Sequence, residues 1–186
     1  MIITIDVGNT NITVGVFNGD EIVASFRMTT KMPRTSDEYG MLLTNLLEQN
    51  RIHCDEIQDA IIASVVPNVM HSLEGAVIKY LNIRPIVIEP GTKTGIRIVT
   101  ENPRQIGADR IVDAAAAYEI YGGPVLVLDF GTATTYDLVD ATGAFVSGGQ
   151  YFSGRYGNEH AGRYHVWTDR TDRIHCPPYE RGSKFR

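Results

Sequence analysis

Two short stretches of this chain combine the residue types that grip phosphate. Ile5-Asp6-Val7-Gly8-Asn9-Thr10-Asn11 and Leu128-Asp129-Phe130-Gly131-Thr132-Ala133-Thr134-Thr135 each run from an apolar, strand-like segment into Asp, then Gly, then small hydroxyl or amide residues. A glycine in such a turn lets the backbone come close to a phosphate, and the following N–H, Thr and Asn groups donate hydrogen bonds to its oxygens. An Asp at the strand end suits a divalent cation, held directly or through water, that screens polyphosphate charge. Either turn by itself reads better as an Asp and Asn capping a hairpin. The recurrence of the design at the ends of two strands favours a nucleotide clamp. Neither the G-x-x-x-x-G-K-[ST] loop nor a G-x-G-x-x-G after a strand is present.

A third stretch, Asn102-Pro103-Arg104-Gln105-Ile106-Gly107-Ala108-Asp109-Arg110, opens a helical pattern. Gly107 permits close approach at the helix start, and Asp109 lies where the helix dipole is positive. The plain structural alternative is an N-cap carboxylate beside a surface ion pair. The chemical one is a carboxylate base that orients a substrate hydroxyl, with Arg110 gripping an anionic substrate.

These residues need a scaffold, and the pattern supplies one. Ile2 to Val7, Ile12 to Phe17 and Glu21 to Thr29 read as an antiparallel meander, with Asn18-Gly19-Asp20 as a hairpin turn. Ser36-Asp37-Glu38 marks a helix start ahead of Tyr39, Leu42, Leu43, Leu46 and Leu47 at helical spacing. Ala60 to Val65 and Pro85 to Ile88 read as strands, Val69 to Leu81 and Ile106 to Tyr121 as helices, and Pro124 to Asp129 as a further apolar strand. Tyr118, Tyr121 and Tyr136 are expected to be packing residues. The repeated motif predicts an α/β fold of two related halves around a cleft.

Composition agrees with a globular protein, and no run of about 18 apolar residues suggests a membrane span. Met1-Ile2-Ile3-Thr4-Ile5 meets Asp6 without a basic leader, so no signal peptide is expected. Cys54 and Cys176 lack metal-ligand spacing and are expected to be free thiols, with the cytoplasm as the compartment. A net charge of −5 argues against a nucleic-acid partner. The charge is uneven. Residues 1–149 carry 10 Lys and Arg against 18 Asp and Glu, whereas residues 150–186 carry 7 against 4. The latter stretch has only Val166 and Ile174 from the Val/Ile/Leu/Met set, and no periodicity, so it is expected not to order itself. Its histidines His160, His165 and His175 match no common metal spacing.

In order and spacing, Asp6-Val7-Gly8-Asn9-Thr10-Asn11, Gly107-Ala108-Asp109-Arg110 and Asp129-Phe130-Gly131-Thr132-Ala133-Thr134-Thr135 resemble type III pantothenate kinase, of the acetate and sugar kinase, heat-shock-70 and actin superfamily. The likeness runs from Met1 to Gly149. It implies a ribonuclease-H-like (actin-like ATPase) fold with two related halves, the second incomplete here. The expected division is residues 1–121, residues 122–149 and a divergent tail of residues 150–186, disordered or read out of frame. It implies a homodimer, and ATP-dependent phosphorylation of pantothenate to 4'-phosphopantothenate, the first step toward coenzyme A. The alternative is an inactive nucleotide-binding remnant or regulatory relative. Carried over by position, Asp109 is the catalytic base. Asp6, Val7, Gly8, Asn9, Thr10, Asn11, Ile12, Thr13 and Thr132 meet ATP. Gly107, Ala108, Asp109 and Arg110 meet pantothenate. Asp6 lies near Mg2+, and Asp129 binds a monovalent cation, K+ or NH4+. No residue beyond Gly149 matches the threonine that the family adds to the pantothenate pocket.

Overall fold

The computed structural model describes residues 1–89, 91–131 and 133–151. Thr132, and all of the expected tail beyond Gln150 and Tyr151, lie outside the described residues. Chain order is β1 (Ile2–Val7), β2 (Asn11–Asn18), β3 (Glu21–Thr29), α1 (Ser36–Gln49), β4 (Asp59–Ser64), α2 (Pro67–Ala76), β5 (Ile86–Val87), β6 (Arg97–Ile98), α3 (Ala108–Tyr121), β7 (Val125–Phe130), β8 (Thr134–Val139) and β9 (Ala144–Tyr151).

The first sheet has the order β3-β2-β1-β4-β5. The expected meander forms its antiparallel part, and β4 and β5 add in parallel. This is the ribonuclease-H-like arrangement. Alternation along the strands makes one face apolar. Ile3, Ile5 and Val7 of β1, Ile12, Val14 and Val16 of β2 and Ile62 of β4 are all buried there, packed with Tyr39, Leu43 and Leu47 of α1 and Leu73 and Ala76 of α2. Thr35 starts α1 with a capping box: its hydroxyl accepts from the Glu38 N–H, and the Glu38 carboxylate accepts from the Thr35 N–H. The second helix begins two residues earlier than the periodicity suggests, because Pro67 suits the first helical turn, where no N–H is needed.

The second sheet has the order β6-β9-β8-β7, with β7, β8 and β9 antiparallel. Helix α3 packs against β7 and β8 of this sheet and against β4 of the other. Ala114 of α3 meets Val139 and Phe145, with Tyr118 alongside. The helix begins at Ala108 rather than Ile106, since Gly107 is still extended (φ −61°, ψ 149°) and Pro103–Gln105 forms a separate 3-10 turn. Tyr118 and Tyr136 pack as expected, the latter beneath Gly149, but Tyr121 is 79% exposed at the end of α3. No helix among the described residues is long and apolar enough to cross a membrane.

Candidate active site

The two phosphate-type turns occupy equivalent places. Gly8 to Thr10 joins the antiparallel pair β1 and β2, and Gly131 to Ala133 joins the antiparallel pair β7 and β8. In the first turn, the Gly8 N–H donates to the Asn11 carbonyl at 3.0 Å; in the second, the Gly131 N–H donates to the Ala133 carbonyl at 3.1 Å. Asp6 pairs in register with Thr13 on β2 and Ala63 on β4, on the face of the sheet opposite the large apolar core. Asp129 pairs with Thr135, and its face of β7 carries Val125, which packs on the cluster around Ala114 of α3. Ile12 and Val7 are fully buried beneath the first turn. They anchor it by packing and do not reach toward the open side.

Helix α3 brings the third stretch to these turns. Asp109 stands in its first turn, where its Oδ1 accepts from the Arg110 N–H at 2.8 Å. A Cβ on Gly107 would collide with that carboxylate and would stand 3.2 Å from the Val65 side chain, so Gly107 keeps Asp109 in place by taking up no room.

Charge shows how closely these groups associate. The Asp6 carboxyl is held above the ordinary carboxylate range, first because protein crowds around it and then because Asp109 and Asp129 repel its charge. Thus the acid of the first stretch senses one acid from each of the other two. Solvent still reaches Asp6 and Asp129.

Two further acids belong to the same cluster, and the sequence reading did not single them out. Asp113 follows Asp109 by four residues, so the two stand on one face of α3. Its carboxyl is pushed up to about 6, first by desolvation and then by repulsion from Asp129, Asp6, Asp109 and Asp137. The i, i+4 spacing of Asp109 and Asp113 was the available signal. Asp137 on β8 is 1% exposed and receives Arg110. The Arg110 Nε donates to Asp137 Oδ1 at 3.0 Å and to Oδ2 at 3.3 Å, and Nη2 donates to Oδ1. Desolvation raises the Asp137 carboxyl, and the Arg110 guanidinium opposes that rise. No sequence signal joins these two residues, which are 27 positions apart.

No three His, Cys, Asp or Glu side chains among the described residues converge as a ready-made metal cage. The cluster is instead a rim of separated carboxylates around the two turns.

The family model described as type III pantothenate kinase matches residues 2–151. A type III pantothenate kinase from Agathobacter rectalis is 73% identical over 148 residues, covering 80% of this chain and 57% of the relative. One from Bifidobacterium animalis subsp. lactis is 51% identical over 148 residues, covering 80% of this chain and 59% of the relative. The chain therefore spans less than three-fifths of the length of these curated relatives. Among solved structures, ethanolamine utilization protein EutJ from Carboxydothermus hydrogenoformans aligns with 82% of this chain and 52% of its own, at 17% identity and a TM-score of 0.49. That distant likeness adds nothing to the assignment. The two sequence relatives and the family match, which takes in all three motif stretches, make this chain a member of the type III pantothenate kinase family.

Proposed function

We propose that the protein of which these residues form the ATP-facing part transfers the γ-phosphate of ATP to the primary hydroxyl of pantothenate, making 4'-phosphopantothenate. The observation that carries this reading is that helix α3 and the two turns stand close enough for Asp109 and Asp129 both to raise the partly buried Asp6 carboxyl, one acid from each of the three family-specific stretches. Phosphoryl transfer is mainly positioning and charge stabilisation, so a base between two phosphate turns is a sufficient arrangement.

In this reading the turn from Asp6 to Thr13 takes the ATP phosphates, with Thr132 meeting them from the second turn. Gly107, Ala108, Asp109 and Arg110 border the pantothenate. Asp109 accepts the hydroxyl proton as the oxygen attacks. Arg110, tied to Asp137, acts from a fixed position at the edge of that pocket.

The donor chemistry fits cations. Magnesium bound to ATP keeps phosphate oxygens and water among its ligands and needs only one or two protein carboxylates. Asp6 is the carboxylate for that ion, and Asp129 is the one for K+ or NH4+. When bound, these ions screen the polyphosphate charge and relieve the repulsion among the acids. The same reading gives a cytoplasmic homodimer that needs no nucleic acid or membrane, with residues 1–121 as the first half, residues 122–149 opening the second and a distinct segment over residues 150–186.

Coupled ATP turnover, with and without pantothenate, Mg2+ and K+, tests the assignment. Pantothenate-dependent turnover should fall by about 100-fold or more in Asp109→Asn, the range for loss of a general base. Equal turnover in the variant, or turnover indifferent to pantothenate, would overturn it.

A further inference from the structure

We infer that Thr30 is a positioning residue that presets the first phosphate turn. It stands directly after β3, is 6% exposed, and binds two carbonyls of the turn at once. Its hydroxyl donates to the Gly8 carbonyl at 2.7 Å, and its N–H donates to the Thr10 carbonyl at 3.0 Å. In a planar trans peptide, C=O and N–H point in opposite directions. Fixing the Gly8 carbonyl on Thr30 therefore turns the Asn9 N–H away from Thr30, and fixing the Thr10 carbonyl holds the other end of the same turn. A phosphate needs such donors aimed outward before it arrives, because ordering them on binding would cost affinity.

The surrounding register leaves the hydroxyl a specific task. Asn11 opposes Thr29 at the start of β2, so the backbone contact of Thr30 simply extends the β2–β3 ladder by one step. The contact to Gly8 does not. It crosses to the far side of the turn, next to the strand end that carries Asp6, and only a side chain with a donor at this position can make it. A buried threonine at the end of an exposed-edge strand thus ties the glycine of the turn to a third strand.

The inference rests on Asp6 to Thr13 being the ATP-phosphate turn, and the test separates the two claims. Mg-ATP is titrated into the full chain and its Thr30→Val and Thr30→Ser variants by calorimetry, with the unfolding midpoint of each measured alongside. Thr30→Val keeps the shape and the N–H but loses the hydroxyl, and its Mg-ATP affinity should fall about tenfold, as expected for one buried hydrogen bond. Thr30→Ser restores the donor and should bind within about twofold of the parent chain. A Thr30→Val protein that melts lower yet binds Mg-ATP as the parent does would show a structural role alone and overturn the inference. Loss of affinity in both variants would also overturn it, since the hydroxyl would then not be the cause. Failure of the parent chain itself to bind Mg-ATP would overturn the reading of the turn, and the role of Thr30 with it.

Discussion

Arg110 of α3 reaches across to β8 and grips the carboxylate of Asp137 with Nε and Nη2, although Asp109, the neighbouring acid in sequence, is far closer along the chain. The Arg110 side chain is 13% exposed and that of Asp137 1%. This is the one ion pair among the described residues that is largely removed from water; Lys79 with Asp37 is solvent-exposed on both sides. The pair locks the start of α3, and with it Asp109, to the second sheet. The residue expected to hold substrate is thereby also a structural tie between the helix and the sheet.

Breaking this tie should be costly. Arg110→Ala leaves the Asp137 carboxylate buried without its partner and should destabilise the chain by about 3 kcal/mol, measured by urea unfolding. Lys79→Ala, at the exposed pair, should change stability far less, because water and salt screen that pair. Similar losses in the two variants would contradict the view that burial makes the Arg110 pair important.

Gly148 on β9 makes room for the same pair. A Cβ there would collide with Arg110 Nη2 and Asp137 Oδ1, and would stand 2.8 Å from the Tyr136 carbonyl. Gly148→Ala should cost roughly 1–3 kcal/mol, as overpacking does. At Gly131 the added Cβ would meet only ordinary contacts, at 3.4 Å and 3.6 Å. Gly131→Ala should therefore alter stability by no more than about 0.5 kcal/mol. Thermal unfolding of both variants distinguishes the positions.

The acid cluster gives stability a specific pH dependence. Asp113 titrates at about 6 in the folded chain, against an ordinary value of 3.8. Between those values the folded state holds more protons than the unfolded one, so stability falls as pH rises from about 4 to 6 and stays lower above that. Asp6 and Asp137, also raised, act with the same sign. Asp37, Glu38 and Asp140 are lowered and act in the opposite direction at the acid end. Asp113→Asn should raise the unfolding midpoint at pH 7, leave it almost unchanged at pH 4, and flatten the slope between. An Asp113→Asn chain with the parent's slope would refute the assignment of that slope to this acid.

The outward face of the second sheet predicts poor solubility. Leu126 is 58% exposed, Leu128 54% and Phe130 78%, and all three lie on the side of β7 away from α3. Among the described residues β7 also ends its sheet, and no described strand pairs with its outer edge. A contiguous apolar face beside an open strand edge promotes association. Leu126→Thr with Leu128→Thr should reduce light scattering of the purified chain while moving its stability by less than about 1 kcal/mol. Unchanged scattering would place the source of association elsewhere.

Much of this fold was legible in the chain itself. Strand-like runs punctuated by turn residues marked β1, β2 and β3, and helical spacing marked α1, because those signals are local and survive without tertiary context. The three motif stretches were legible for the same reason: turn chemistry needs particular residues at adjacent positions. Boundaries were less so. Pro67 belongs inside α2 and Ile106 outside α3, since proline at a first turn and an extended Gly107 are decided by where the chain must go next.

What sequence order alone determined, then, is the three motif stretches and the acids expected to do chemistry in them: Asp6, Asp109 and Asp129, each beside glycine or hydroxyl neighbours. Tertiary structure decided what holds them. Asp137 meets Arg110 across 27 positions, Thr30 meets Gly8 across 22, and Asp113 acquires its raised carboxyl only when folding takes it out of water and brings four other acids near it. Hydrogen bonds and charges act through space over a few ångströms, and spacing along the chain reports such proximity only within a turn or a helix.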